Sequence, residues 1–470
     1  MTVRPAWLIA ALAAAGLGFA ARASSQRPGE TPPRYSGPEA PRAATSGQET
    51  GEPDSASEED AQDLLKAVKE AEAESSDGGV PPPAVVHAVP AAAANAVVQH
   101  IDHVQGLSLW RKAKLTADGY RAKTESGKLA RLSVDVHLQQ QMNKLLAMYK
   151  PVGAAVVALD PKTGKVLALA EYAADGHAEG LATKALYPAA SVFKIITGAA
   201  LLEKGVNPDA ETCYHGGMHG IAASLLQDKP RLDSRCLSLS MALAKSANVV
   251  FAKMAVKHLD ADSLRKEAER FLFNRPIFDQ PMDQSSATIA PSGLDFAKSA
   301  AGFGNVKLSP LHAALIAAAV GNGGLAVEPS MIDDVDGVDV ATTGSLRLLR
   351  PDTAASLRDM MKLTVSEGTA SSSFHDHHRN ILGDIKVAGK TGSLSNHEKV
   401  FKDYSWFVGF APADDPKIAV AAVVVNGLKW RVHAPFIARE ALRAYLVGGP
   451  IGQPPVARAR PKRVRRRKHG

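Results

Sequence analysis

The sequence predicts an α+β chain, and three observations carry that reading. Apolar stretches pair off across short turns, which is the pattern of antiparallel hairpins. Helix-spaced apolar runs stand between and after those pairs. A hydrophobic content of 45% over 470 residues leaves room for one large core plus extensions.

The elements follow in chain order. Ala154–Asp160 and Lys165–Ala170 read as two strands joined by the turn Pro161-Lys162-Thr163-Gly164. Residues 190–204 read as a helix, with Val192, Ile195, Ile196, Ala199 and Leu202 apolar and Gly205 at the stop. Ser238–Phe251 reads as an apolar helix, a break and a second helix. Ile385–Ser393 alternates and then ends in small residues, as a strand does where another backbone or a ligand comes close. Ser405–Phe410 and Ile418–Val425 read as a strand pair joined at Asp414-Asp415-Pro416. Ala434–Leu446 is the last expected helix, followed by the breakers Gly448-Gly449-Pro450 and Pro454-Pro455.

Three short motifs lie on these elements. They are Ser191-Val192-Phe193-Lys194, Ser246-Ala247-Asn248 and Lys390-Thr391-Gly392. Residues i and i+3 share a helix face, so Ser191 and Lys194 point the same way. The first turn of a helix favours a developing oxyanion. A serine hydroxyl needs an adjacent base, and a discharged lysine can serve. Any one of these motifs alone reads equally as a cap, a turn or a surface lysine. Together they form the S-x-x-K, S-x-N and K-T-G set of penicillin-recognising serine acyl enzymes.

The chain thus resembles the transpeptidase domain of penicillin-binding proteins over roughly 107–447. The surrounding text agrees: Leu132-Ser133-Val134-Asp135 at the entry, Tyr187-Pro188-Ala189-Ala190 before the nucleophile, Gly302-Phe303-Gly304, Ser309-Pro310-Leu311 and Glu367-Gly368-Thr369-Ala370. Two positions depart from the pattern: Ala190 where many relatives carry Gly, and Ser393 where many carry Thr, the latter keeping the hydroxyl. The resemblance implies a β-lactamase/transpeptidase-like fold. That is an antiparallel sheet of about five strands flanked by helices, plus a mostly helical lobe.

It also implies the roles. Ser191 is the nucleophile and Lys194 its partner; Ser246 relays protons; Lys390 supplies positive charge. Asn248 orients the substrate peptide carbonyl. Thr391, Gly392 and Ser393 lie along the substrate, the hydroxyls holding its terminal carboxylate. The backbone N–H groups of Ser191 and Ser393 would form the oxyanion hole. A like charge on Lys390, with burial, would depress the pKa of Lys194. The sequence leaves open which lysine is the base. No cofactor or metal is expected.

The implied activity is D,D-transpeptidation of peptidoglycan stem peptides, with β-lactams as inhibitors. Rivals are a D,D-carboxypeptidase or endopeptidase of the same fold, a β-lactamase, and a non-catalytic wall-binding or β-lactam-sensing protein. The long stretch between Asn248 and Lys390 and the absence of a deacylating-glutamate motif argue against the lactamase. The intact Ser191, Lys194 and Lys390 set argues against a dead enzyme.

Outside residues 106–449 the text changes. Residues 1–23 hold an apolar run, Ala6–Ala21, that as a helix spans ~24 Å. That is short of a ~30 Å hydrocarbon core, so a cleaved signal or a short anchor both fit. Either sends the domain to the periplasmic face of the inner membrane. Residues 24–105 read as a low-complexity tether, with room for one acidic helix around Asp60–Ala73. No glycosyltransferase domain is expected there, which leaves glycan polymerisation to a partner protein. Residues 450–470 read as a basic tail. Its eight Lys and Arg outweigh the whole-chain charge of +7, so the remainder is −1. In an exported protein such a tail suits an anionic membrane or wall polymer, or only solvent, rather than nucleic acid.

Cys213 and Cys236 fall between the first two motifs. In an oxidising compartment they can pair, adding ~3 kcal/mol by loop closure; two free thiols are the alternative. His375-Asp376-His377-His378 reads as an exposed loop near the mouth of the site rather than a metal site.

Overall fold

The computed structural model describes residues 106–449, apart from 279–281, 342–343, 378 and 397–399. The expected export segment, tether and basic tail lie outside the described residues. Among the described residues, no helix is long and apolar enough to cross a membrane.

The apolar runs build a central sheet. Its strands are β1 (Gly153–Leu159), β2 (Val166–Ala173), β3 (Ala388–Asn396), β4 (Lys402–Ala411) and β5 (Ile418–Asn426). The order is β3-β4-β5-β1-β2, with every neighbour antiparallel. The turn between β1 and β2 is set by Asp160, whose carboxylate accepts from the N–H of Lys162 at 2.8 Å. Gly164 closes it at φ +71°, where a Cβ would sit 2.2 Å from the carbonyl oxygen of Glu328.

Both faces of this sheet are covered, so β5 is buried along its whole length. That is why it reads as an unbroken apolar run rather than an alternation. Ala419, Ala421 and Val423 join one core cluster; Val420, Ala422 and Val424 join the other.

Seven helices matter for the site: α1 (Val136–Tyr149), α2 (Lys194–Glu203), α3 (Leu239–Ala244), α4 (Asn248–His258), α5 (Pro310–Gly321), α6 (Pro351–Ser366) and α7 (Ala434–Leu446). α1 starts at Asp135, whose carboxylate caps the N–H of Leu138 at 2.7 Å. α1 and α7 pack together on one sheet face, and α5 lies on the other. α5 is apolar all round because it is buried all round. Beside it lies a mostly helical lobe containing α2, α3, α4 and α6, of which α6 packs directly on β3.

A second five-stranded sheet, absent from the sequence reading, joins Lys114–Thr116, Gly119–Lys123, Leu129–Leu132, Ile332–Val335 and Val338–Asp339. The His375 segment also departs from a plain loop. His375–Asp376 pairs with Arg379–Asn380 as a short hairpin, and the side chain of His377 is fully in solvent.

Candidate active site

The approach to Ser191 is fixed before Ser191 is reached. Trp406 on β4 is buried, and its indole Nε1 donates to the carbonyl of Pro188 at 2.9 Å. Tyr187 stands edge-on to the same indole. Ala190 then turns at φ +48°, a left-handed conformation that costs a residue with a Cβ about 1–2 kcal/mol. Gly302 backs this turn: a Cβ there would lie 2.1 Å from the carbonyl oxygen of Ala190. Two backbones meet where no side chain fits.

The expected continuous helix from residue 190 is corrected here. Ala190–Phe193 is a 3-10 turn, and the α-helix begins at Lys194. In a 3-10 turn residues i and i+3 nearly eclipse. The Nζ of Lys194 lies 2.8 Å from Ser191 Oγ.

Lys194 is wholly buried. Its Nζ also lies 2.7 Å from Asn248 Oδ1 and 2.6 Å from the carbonyl oxygen of Ala301. Burial holds its pKa well below the usual lysine range, and the nearby Lys390 lowers it further. A neutral amine has two N–H donors and one lone pair. With Asn248 and Ala301 taking two donors, a neutral amine has its lone pair for the hydroxyl of Ser191. The three oxygens would also fit an ammonium, and it is burial that favours the uncharged lysine able to accept the serine proton.

Ser246 and Asn248 come from the break between α3 and α4. Ser246 sits at φ +55°, a second left-handed non-glycine residue at the site. The Asn248 amide donates to the carbonyl of His219 at 2.7 Å and keeps a second N–H for a ligand. Lys390, on β3, is wholly buried, and its Nζ donates to Ser246 Oγ at 3.0 Å and to the carbonyl of Thr391 at 2.8 Å. Burial lowers its pKa to about 7. Gly392 lets β3 run close to the nucleophile turn; a Cβ there would lie 3.2 Å from Val192 and from Trp406. Ser393 follows it, exposed to the cleft.

These parts frame one cleft of about 460 Å³. Ser191, Ser246, Asn248, Thr391 and Ser393 line it, while Lys194 and Lys390 lie beneath. His219, Thr369 and His433 line it too, and none of them was a predicted site residue. The sequence signal for Thr369 was present in Glu367-Gly368-Thr369-Ala370, read only as context. Nothing in the sequence pointed to His219 or His433.

Cys213 and Cys236 are opposed across a short hairpin, with Cα atoms 3.9 Å apart, and are joined as a disulfide. The hairpin is tied to α4, because the Nζ of Lys253 donates to the carbonyl of Cys213 at 2.8 Å.

The profile of the penicillin binding protein transpeptidase domain matches residues 154–442, more than half of the chain. The chain belongs to that family. Among relatives of the penicillin-binding protein transpeptidases, it is 29% identical over 319 residues to peptidoglycan D,D-transpeptidase PbpA of Mycobacterium tuberculosis. That match covers 59% of this chain and 63% of the relative. It is 25% identical over 380 residues to peptidoglycan D,D-transpeptidase MrdA of Haemophilus influenzae, covering 68% of this chain and 56% of the relative. The chain thus spans less than two thirds of the length of these relatives. The solved structure of penicillin-binding protein A from M. tuberculosis, an imipenem acyl-enzyme complex, superimposes with a TM-score of 0.55 at 26% identity. It covers 68% of this chain and 79% of that one.

Proposed function

We propose that this protein is a peptidoglycan D,D-transpeptidase that works through a serine acyl-enzyme and is acylated by β-lactams. The observation that carries the reading is the wholly buried Lys194 with its Nζ 2.8 Å from Ser191 Oγ. A stem peptide ending in D-Ala-D-Ala lies along β3. Asn248 donates its second N–H to a peptide carbonyl, and Thr391 and Ser393 hold the terminal carboxylate. Ser191 attacks the penultimate D-alanine carbonyl and passes its proton to Lys194. The backbone N–H groups of Ser191 and Ser393 stabilise the oxyanion. The leaving D-alanine amine takes a proton by way of Ser246, which Lys390 holds in place. The acyl-enzyme then transfers to an amine of a neighbouring stem.

The reading places the protein outside the cytoplasm, exported by its N-terminal apolar segment. A glycan-polymerising partner would supply the strands it cross-links. The basic tail would hold it to an anionic membrane or wall polymer; co-sedimentation unchanged on deleting residues 458–470 would remove that role. The activity itself is tested by supplying a pentapeptide muropeptide and a D-amino-acid acceptor. Exchange product supports transpeptidation. Release of D-alanine without exchange would replace it with carboxypeptidation.

A further inference from the structure

One hydroxyl lining the cleft, that of Thr369, has no part in the steps above. Thr369 stands on the turn after α6, and its Oγ1 is in short hydrogen-bond contact with Thr391 Oγ1. The backbone N–H of Thr369 donates to the carbonyl of Ala244 at 3.1 Å, and its hydroxyl reaches the same oxygen only at 3.4 Å. Ala244 ends α3, two residues before Ser246. Gly368 permits that approach, since a Cβ there would sit 2.2 Å from the Ala244 oxygen. The turn is therefore held between the S-x-N break and the K-T-G strand. Thr369 is exposed and Thr391 is buried, yet both line the cleft.

Proton counting gives this pair a direction. A carboxylate accepts hydrogen bonds and cannot donate them, and each hydroxyl carries one proton. If Thr391 gives its proton to Thr369, it has none left for a carboxylate. If Thr369 is the donor, the Thr391 proton is free to point into the cleft. The other acceptor within reach of Thr369 is the Ala244 oxygen, which is farther away and already takes the Thr369 N–H. Lys390 does not perform this task. Its Nζ goes to Ser246 Oγ and to the backbone oxygen of Thr391, not to the threonine hydroxyl.

We propose that Thr369 is a positioning residue for substrates with a terminal carboxylate: its hydroxyl donates to Thr391 Oγ1 and so commits the Thr391 proton to that carboxylate. The proposal rests on the transpeptidase reading above. It adds a donor chain, Thr369 to Thr391 to carboxylate, in which each bond polarises the next. It also makes the effect of Thr369 depend on whether the ligand carries the charge.

The test uses benzylpenicillin and its methyl ester, which lacks that charge and adds one methyl group, with the full-length protein. Acylation rate constants are measured for wild type, Thr369→Val, Thr369→Ser, Thr391→Val and the double valine variant. The wild-type protein must first be acylated by benzylpenicillin; failure there counts against the transpeptidase reading, not against Thr369. Given acylation, Thr369→Val should lose about tenfold on the free acid, the scale of a weakened bond to a charged group, and little on the ester. Thr369→Ser, which keeps the hydroxyl, should restore the acid rate. The double variant should be no slower on the acid than Thr391→Val alone. Equal losses on acid and ester would overturn the proposal, because they would mean a merely structural role. An unchanged acid rate in Thr369→Val would overturn it, as would losses that multiply in the double variant.

Discussion

Lys390 links stability to catalysis in one measurable way. Its side chain is wholly buried, and burial lowers its pKa from 10.5 to about 7. In the unfolded chain the ammonium returns to water and titrates near 10.5. Between those values the unfolded state holds a proton that the folded state lacks, so stability rises with pH from about 7 to about 10.5. Below pH 7 both states are protonated, and the folded protein carries the whole cost of the buried charge. At 1.36 kcal/mol for each pKa unit, that cost is roughly 5 kcal/mol. Lys390→Met keeps the length of the side chain and removes the titration. The unfolding free energy of wild type should then gain roughly 2 kcal/mol on that of Lys390→Met between pH 7 and pH 9, the pKa near 7 trimming the first unit of the rise. Lys194 is present in both proteins, and above pH 7 Lys390 is largely neutral, so it then has little charge with which to shift Lys194. The assay is urea unfolding at pH 7, 8 and 9, followed by tryptophan fluorescence. Parallel stability profiles would refute the reasoning, since they would mean that Lys390 titrates alike in the folded and unfolded chain.

Three further outcomes follow. Lys194→Ala should slow penicillin acylation by ~10²–10⁴ while leaving the initial encounter complex nearly as strong, because a general base acts in the transition state. Stopped-flow kinetics separates the two, and a weakened encounter with an unchanged acylation rate would count against it. In wild type the acylation rate should rise with pH and then level off, since Lys194 must be neutral and its pKa is held low; a profile still climbing in parallel with ordinary lysine titration would contradict this. Gly302→Ala should abolish acylation, because the new methyl group meets the Ala190 carbonyl and displaces the nucleophile turn. Full activity in that variant would mean that the turn is not fixed by Gly302.

Much of this architecture was legible in the sequence because it is written in apolar runs. β1, β2, β4 and β5 announce themselves as unbroken or paired apolar stretches, and Ala434–Leu446 matches the last helix end to end. The break between α3 and α4 was legible from Ser246-Ala247-Asn248 between two apolar stretches. The second sheet was not, because its strands are short and several are exposed, so they carry no burial pattern. The 3-10 start of the nucleophile helix was also hidden. It depends on Ala190 adopting a left-handed turn, which Gly302 makes room for from more than a hundred positions away. The contacts of the candidate site belong to the same class. Asn248 with Lys194, Lys390 with Ser246 and Thr369 with Thr391 each join distant segments. Motif text named both members of the first two pairs but not that they touch, and in the third it named Thr391 alone; the fold supplies the contacts and Thr369.

The central claim is that Ser191 is the nucleophile of an acyl-enzyme. Mass spectrometry of protein incubated with labelled penicillin tests it directly. The account predicts one stable covalent adduct, on the peptide carrying Ser191, and none in Ser191→Ala. An adduct that persists in Ser191→Ala, or that maps to another residue in wild type, would contradict it.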